Sequence, residues 1–196
     1  IAFNVHGQRN LKIAQYFGDP IVADSASTIM IPTRYNADFF SSNKITLFGD
    51  FYANIIFYDF KIDSYKKLFE SDTYIIGFNT TNNTYHYNLK SQSKNIASKS
   101  ILYRVKNVDH NKNGRIDNND PAILYISDPQ GNGLKALTTE NENVVAINIF
   151  EKQNFALIKL QRDLDKDGHF ETDDKDFYYL KLNLATLSFG NKIELK

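Results

Sequence analysis

The chain contains no cysteine among its 196 residues, which excludes both disulfide bridges and thiolate metal sites. It also lacks any apolar run of the ~18 to 20 residues that a membrane-spanning helix requires. Lysine plus arginine and aspartate plus glutamate each number 23, so no net charge draws the chain to nucleic acid or to an anionic membrane. We therefore expect neither a nucleic-acid partner nor a transmembrane segment.

Motifs of several enzyme classes are missing as well. The chain has no Gly-x-Ser-x-Gly elbow, no P-loop and no Rossmann glycine cluster, so hydrolase and nucleotide-binding sites lack sequence support. Its four histidines are scattered, without the His-x-x-x-His spacing that is typical of zinc sites. Paired glycosidase carboxylates are recognised only by their separation in space. No catalytic residue is therefore assigned.

The chain does have a hydrophobic content of 42%, which is enough to bury a substantial core. Short stretches rich in β-branched and aromatic residues recur, and Asn, Asp, Gly and Pro bound them, as is typical of strands joined by tight turns. No convincing helix lies between these stretches, which disfavours a parallel βαβ design. The sequence predicts one all-β domain that spans residues 1–196.

The predicted strands fall into three segments, at about residues 1–70, 71–139 and 140–196. Each segment is predicted to hold about four strands, and the later two carry a polar loop between their second and third strands. The first loop ends at residue 120 and the second at residue 174, a spacing of 54 residues that lies near the ~40 to 50 residue period of propeller blades. We predict a propeller-like array of about three four-stranded antiparallel blades, with these loops in the hairpins.

The two loops share one pattern over twelve residues. Residues 109–120 and 163–174 place Asp, Asn or Glu at positions 1, 3, 5, 9 and 12, and glycine at position 6. Calcium is a hard cation that takes six to eight oxygen ligands, and side chains on alternate residues of a turning loop converge on one point. Glycine permits the sharp turn, because a β-carbon there would be strained. Both loops are therefore predicted to bind Ca²⁺.

The predicted ligands are the side-chain oxygens at positions 1, 3, 5, 9 and 12 and the backbone carbonyl at position 7. In the first loop these are Asp109, Asn111, Asn113, the carbonyl of Arg115, Asp117 and Asp120. In the second loop they are Asp163, Asp165, Asp167, the carbonyl of His169, Glu171 directly or through water, and Asp174. Two amides replace carboxylates in the first loop, and Lys112 and Arg115 lie nearby. The second loop is therefore predicted to bind Ca²⁺ more tightly.

Parts of the chain resemble known calcium-loop and propeller families. Residues 123–128, Ile-Leu-Tyr-Ile-Ser-Asp, with the following Gly-Asn-Gly-Leu-Lys-Ala-Leu-Thr, resemble the outer hairpin of a TolB-type propeller blade, and residues 55–69 are a looser copy. Both loops are similar to the Asp-x-Asp/Asn-x-Asp/Asn-Gly-x-x-Asp loops in the hairpins of integrin-type FG-GAP propellers. Residues 109–120 also resemble a dockerin loop, although strand-forming residues follow where a dockerin has its recognition helix. The resemblance implies a propeller with calcium loops of the EF-hand type.

Aspartate at position 12, in place of glutamate, lacks the longer arm that usually coordinates calcium through both oxygens. Such loops suit a compartment in which calcium is abundant, so we expect an extracytoplasmic location, whether periplasmic, cell-surface or secreted. The first residue is Ile1 rather than methionine, so we expect that a leader was removed. A lipid anchor upstream is compatible with the sequence.

The predicted function is a binding or structural module whose fold calcium stabilises and whose ligand is a protein or a glycan. The alternative is an extracytoplasmic glycan-active enzyme, a hydrolase or a lyase, on the same scaffold. Three blades fall short of the usual ring of ~4 to 8. A fragment, an open stack and a homo-oligomer that completes a toroid remain the alternatives for the assembly.

Overall fold

A computed structural model describes residues 15–22, 27–35, 51–80, 83–84, 100–114, 116–170 and 174–195. Over these ranges the chain is built of β-strands and contains no α-helix, which confirms the predicted all-β class. The strands are β1 (Gln15–Phe17), β2 (Ile21–Val22), β3 (Thr28–Tyr35), β4 (Tyr52–Asp59), β5 (Ser64–Lys67), β6 (Tyr74–Thr80), β7 (Asn83–Thr84), β8 (Ile101–Lys106), β9 (Ile123–Ser127), β10 (Lys135–Ala136), β11 (Glu142–Phe150), β12 (Phe155–Arg162), β13 (Phe177–Asn183) and β14 (Phe189–Glu194). No helix in the described ranges has the length and hydropathy needed to cross a membrane.

Strand β12 illustrates why these stretches form strands. Ala156, Ile158 and Leu160 are buried, whereas Leu157 and Lys159 on the opposite face are only half-buried. Successive side chains of a strand point to opposite faces of the sheet, so alternation of this kind buries one face and leaves the other accessible. A 3₁₀ turn at Glu151–Gln153 returns the chain from β11 into β12.

The strands form two antiparallel sheets. Within the described ranges the larger sheet has ten strands, with the path β1-β3-β4-β6-β8-β9-β10 and with β2, β5 and β7 paired to β3, β4 and β6. The smaller sheet has four strands in the order β11-β12-β13-β14. Both sheets are open along these paths. The architecture that is established is therefore an all-β pair of open antiparallel sheets.

The larger sheet has a weak joint between β4 and β6. These strands share one register pair among the described residues, Tyr52 with Ile75. By contrast, β4 pairs over most of its length with β3, and its second half pairs with β5. Because ladder hydrogen bonds stabilise a sheet pair by pair, the ladder at this joint contributes little, and side-chain packing holds the two parts together.

Strands β8 and β9 lie between two hydrophobic cores. Alternate residues of β8 point to opposite cores, with Leu102 in one and Tyr103 in the other. One core joins β8 and β9 to the smaller sheet: Leu102, Ala122, Leu124, Ile126, Val144, Ile147, Ala156, Ile158, Leu160, Tyr178, Leu182 and Leu184. The second core joins β3 and β4 to β6 and β8: Met30, Ile55, Phe57, Leu68, Ile75, Phe78, Ile101, Tyr103 and Val105. This burial on both faces fixes the β8–β9 hairpin, from which the first loop projects.

Candidate metal centre

Each of the two polar loops connects a pair of antiparallel strands. The first loop, residues 109–120, follows β8 and precedes β9, and these strands pair from Ile101 to Val105. The second loop, residues 163–174, follows β12 and precedes β13, which pair from Phe155 to Gln161. Each loop therefore joins the two strands of a hairpin that is anchored in a core.

The two loops have the same backbone turn. At position 4, Lys112 and Lys166 have φ of 59° and 61°, and at position 6, Gly114 and Gly168 have φ of 83° and 82°. Glycine adopts this left-handed conformation without steric penalty, whereas a lysine adopts it only when its surroundings compensate for the strain. The shared pattern of Asp, Asn and Gly thus folds in the same way twice.

The carboxylate at position 1 stabilises this turn in each loop. Asp109 Oδ2 accepts a hydrogen bond from the Gly114 N–H at 2.8 Å, and Asp163 Oδ2 accepts one from the Gly168 N–H at 2.9 Å. Each bond joins positions 1 and 6 of its loop. The first carboxylate is thereby held over the concave side of the turn.

The carboxylate at position 12 closes each loop against its beginning. Asp120 Oδ1 accepts a hydrogen bond from the His110 N–H, and Asp174 Oδ1 accepts one from the Leu164 N–H, both at 2.9 Å. Asp120 is completely buried and Asp174 is 6% exposed. Two buried acids at matching positions are costly unless their charge is compensated, either by groups of the chain itself or by a bound cation.

Three carboxylates of the second loop converge on one point. Asp163, Asp165 and Asp174 each direct an oxygen so that the three atoms lie within 4.8 Å of one another. Asp163 Oδ1 is buried and has no hydrogen-bond partner among the described residues. These oxygens fit the preference of a hard cation for carboxylate ligands.

The pKa of Asp165 reflects this crowding. The Asp167 N–H donates a hydrogen bond to the Asp165 carboxylate, which by itself lowers the pKa. Desolvation and the neighbouring acids Asp167, Asp163 and Asp174 outweigh this bond, so that the pKa lies above its ordinary value of 3.8. The carboxylates of the second loop therefore repel one another in the absence of a cation.

Asp167, another predicted ligand of the second loop, is not part of the converging group of Asp163, Asp165 and Asp174. Asp167 is exposed, and its Oδ1 accepts a hydrogen bond from the His169 N–H at 2.8 Å. Glu171 lies outside the described residues. The structure thus brings together positions 1, 3 and 12 of the predicted ligand set, while position 5 is engaged with the backbone of position 7.

The first loop shows a different use of its predicted ligands. Asn111 Oδ1 accepts a hydrogen bond from the Asn113 N–H at 3.0 Å, and the Asn113 amide Nδ2 donates to Asp117 Oδ2 at 3.3 Å. Asn111 Nδ2 is buried without a partner in the described part of the chain. Arg115 lies outside the described residues. In this arrangement Asn113 presents a donor, rather than its oxygen, to the carboxylate at position 9.

Lys106, which the sequence pattern did not single out, lies directly behind the first loop. Its Nζ donates hydrogen bonds to the carbonyl oxygens of Asp117, Asn118 and Asp120 at 3.0, 2.8 and 2.5 Å. The side chain is 6% exposed, and desolvation lowers the pKa of Lys106 to about 8 although Asp120 and Asp117 favour its charged form. The sequence offered one indication of its burial: Lys106 lies four residues after buried Leu102 in β8, so both side chains point to the same face of the strand.

A neutral residue has the comparable place behind the second loop. Gln161 is 5% exposed, and its Nε2 donates a hydrogen bond to the Asp174 carbonyl at 3.0 Å. Its Oε1 accepts one from Asn143 Nδ2 at 2.8 Å. The exit of the second loop is thus held by an amide, whereas an ammonium group holds the exit of the first.

The two loops contact each other. The Phe170 N–H donates to the Asn119 carbonyl at 2.8 Å, and Asn119 Nδ2 lies 3.4 Å from His169 Nδ1. The rings of His110 and Phe170 are 5.9 Å apart. These contacts join residues about 50 to 60 positions apart in sequence, in loops that connect strands of different sheets. The loops therefore form one paired surface.

No protein-family model and no curated protein matches the chain. Among solved structures, the acylaminoacyl peptidase of Pyrococcus horikoshii in an orthorhombic crystal form is similar, with a TM-score of 0.45 and 12% sequence identity. The similarity covers 92% of this chain and 25% of the peptidase chain. The chain thus spans a quarter of the length of that structure, and a likeness at this level carries no functional assignment.

Proposed function

We propose that this protein is an extracytoplasmic calcium-binding β-repeat module, which serves as a binding or structural unit and whose fold calcium stabilises. The observation that carries the proposal is the convergence of Asp163, Asp165 and Asp174 around a buried, unpartnered oxygen of Asp163. An uncompensated buried carboxylate oxygen is costly, and a cation with a preference for oxygen ligands removes that cost. The absence of thiol and imidazole from the group favours calcium over zinc or copper.

In the second loop, the residues proposed to hold Ca²⁺ are the three converging carboxylates of Asp163, Asp165 and Asp174. The set is completed by Asp167, the His169 carbonyl and Glu171. Asp163 lies directly after β12, and Asp174 lies shortly before β13. A bound ion supplies the positive charge that draws these carboxylates together, and thereby links the two strand ends. Binding is consequently coupled to the folding of the hairpin.

The first loop is proposed as a second and weaker calcium site. Its backbone matches that of the second loop at the left-handed positions 4 and 6. It carries one carboxylate at position 1, one at position 9 and one at position 12, with amides at positions 3 and 5. Fewer charged ligands lower the affinity of such a loop for Ca²⁺.

The wider architecture proposed for the chain is a stack of three four-stranded blades of the TolB-like and FG-GAP-like kind. Three observations support it: the weak joint at Tyr52 and Ile75, the two cores on opposite faces of β8, and the meander of the smaller sheet. In such a stack the calcium loops of neighbouring blades lie side by side. The partner proposed for the stack is an extracytoplasmic protein or glycan.

Isothermal titration calorimetry of protein freed of metal with EDTA tests the proposed calcium sites. We expect heat for two Ca²⁺ ions per chain, and weaker binding at the tighter site in an Asp163→Asn variant. The variant should weaken that site at least ~10-fold, because it removes a buried charged ligand.

Asp173→Asn is the matched control, because it removes one negative charge from position 11 of the same loop, which is not a ligand position in the pattern. It should leave the tighter site nearly unchanged. The absence of calcium heat in the wild-type protein, with no change in melting temperature on addition of EDTA, would contradict the proposed function.

A further inference from the structure

We infer that Lys106 is a built-in cation that keeps the first loop folded without calcium, and that this loop then serves as a template for the second loop, which needs calcium to fold. The inference rests on the proposed function, because it concerns how the calcium site of the second loop is organised. It assigns Lys106 the role of a positioning residue for that site.

The position of Lys106 is fixed by its backbone. The residue ends β8, is paired with Tyr74 of β6, and accepts a hydrogen bond from the Thr73 hydroxyl at its carbonyl, at 3.2 Å. Its side chain is almost completely buried. An ammonium group that starts from a fixed strand end and is enclosed by protein has little freedom to move, so its donors are aimed at defined atoms.

All three donors of the Lys106 ammonium are used within the first loop. They bind the carbonyl oxygens of Asp117, Asn118 and Asp120, which occupy positions 9, 10 and 12. Hydrogen bonds from a charged donor are roughly twice as strong as neutral ones, particularly where water is excluded. The Lys106 ammonium therefore both compensates negative charge in the exit half of the loop and fixes its backbone.

Among the described residues, no side-chain cation binds the exit carbonyls of the second loop as Lys106 binds those of the first. The nearby Arg162 is instead paired with Asp176, beyond the loop, and with Glu194. The amide of Gln161 binds the Asp174 carbonyl, and the carboxylates of Asp163 and Asp165 crowd together beside Asp174. An amide adds no net positive charge to offset this crowding. We therefore expect an external cation to supply the positive charge that the second loop lacks.

The first loop is joined to the second at the segment that Lys106 holds. Asn119 lies between Asn118 and Asp120, whose carbonyls bind Lys106. Its own carbonyl accepts a hydrogen bond from the Phe170 N–H, and its side-chain amide contacts the His169 ring. A β-carbon placed on Gly168 would lie 3.5 Å from the Asn111 Cα, so the turn of the second loop packs closely against the first. Positions 6 to 8 of the second loop therefore rest on a surface that is already ordered.

Hydrogen exchange measured by mass spectrometry, in EDTA and along a calcium titration, tests this inference loop by loop. In the wild-type protein in EDTA, amides of the first loop should be protected and those of the second loop should exchange freely. A Lys106→Met variant keeps the apolar stem and removes the charge. It should accelerate exchange of the first loop in EDTA about tenfold or more, and weaken calcium-dependent protection of the second loop about fivefold or more.

Chemical rescue separates the ammonium group from the packing of the side chain. The chain has no cysteine, so a Lys106→Cys variant can be alkylated at one site with 2-bromoethylamine in denaturant and then refolded. The product carries an ammonium group at the end of a side chain as long as that of lysine. It should restore both the protection of the first loop and the calcium response of the second. Lys112→Met, which removes an exposed lysine of the first loop, is the matched control and should change neither.

Unchanged protection of the first loop in Lys106→Met, or an alkylated protein as defective as its unalkylated parent, would overturn the inference. If Lys106→Met does not fold, refolding of the alkylated protein supports the inference, and its failure to refold contradicts it. The wild-type calcium titration reports separately on the proposed function. A second loop that calcium never protects counts against the calcium site, whereas protection of the first loop in EDTA tests the role of Lys106 alone.

Discussion

At the scale of single residues, the acids of the second loop differ in how their charges are compensated. Asp163 Oδ2 and Asp174 Oδ1 accept backbone hydrogen bonds, while the other oxygen of Asp163 is buried without a donor in the described part of the chain. Asp165 is exposed, yet the neighbouring negative charges help to raise its pKa. Without a cation the carboxylates of this group repel one another, and the pH dependence of stability should reveal that repulsion.

Asp165 makes the calcium-free protein less stable as the pH rises. Its pKa in the folded chain lies above the ordinary value of 3.8, so the folded state holds this proton more tightly than the unfolded state does. The contribution of Asp165 to stability is therefore fully present below 3.8 and is lost as the pH rises through the folded pKa. Thermal melts in EDTA across this range should show the loss in the wild-type protein and a smaller loss in Asp165→Asn. Identical pH profiles for the two proteins would contradict the assignment.

Some residues of the site were predictable from the sequence and others were not. The spacing of acids and glycine identified Asp163, Asp165 and Asp174 because loop geometry converts sequence position directly into spatial position. The role of Lys106 could not be predicted, because the calcium-loop pattern begins at position 1 of the loop and contains no rule for a cation on the preceding strand. The orientation of the Asn113 amide was equally unpredictable, because its oxygen and its nitrogen are similar in size and can exchange places.

At the scale of elements, the strands that flank the loops were the most predictable parts of the chain. The expected strand at residues 100–106 corresponds to Ile101–Lys106, and that at residues 155–160 to Phe155–Arg162. Both are rich in β-branched or aromatic residues and alternate in burial on a sheet face, so local pattern and tertiary packing agree. The packing of one loop on the other depends on how two sheets stack, which local pattern does not encode.

The inward face of β12 should contribute most of the stability of its hairpin. Leu160 is completely buried in the core between the sheets, whereas Leu157 on the same strand faces the other way and is half-buried. Leu160→Ala should lower the free energy of unfolding by about 2 to 5 kcal/mol, since it removes buried methyl groups and leaves a cavity. Leu157→Ala is the matched control and should cost clearly less. Urea unfolding of both variants in saturating calcium measures the difference, and equal losses would show that the two faces were assigned wrongly.

At the scale of the whole molecule, the chain is a succession of antiparallel strands held by two cores and by the paired loops. The cores lie on opposite faces of β8 and β9, and the loops bridge this hairpin to the smaller sheet at one end. An ion bound there as proposed would stabilise more than its own hairpin, because the Phe170–Asn119 hydrogen bond connects the second loop to the first, which belongs to the larger sheet.

Calcium should raise the melting temperature of the whole chain. A ligand that binds only the folded state at 100 times its dissociation constant adds about 2.7 kcal/mol of stability, which for a chain of this length corresponds to a shift of about 5 to 10 °C. Differential scanning calorimetry in calcium and in EDTA measures the shift, and magnesium at equal ionic strength is the control. A melting temperature that is the same in calcium and EDTA would mean that no ion supports the fold.

A crystal structure of the protein grown in saturating calcium tests the central claim most directly. We expect an ion bound by oxygens of Asp163, Asp165 and Asp174 at about 2.3 to 2.6 Å, the distance at which calcium binds oxygen. The same crystals should show Lys106 still bound to the three carbonyls of the first loop. Calcium-saturated crystals in which these three carboxylates hold no ion would contradict the account.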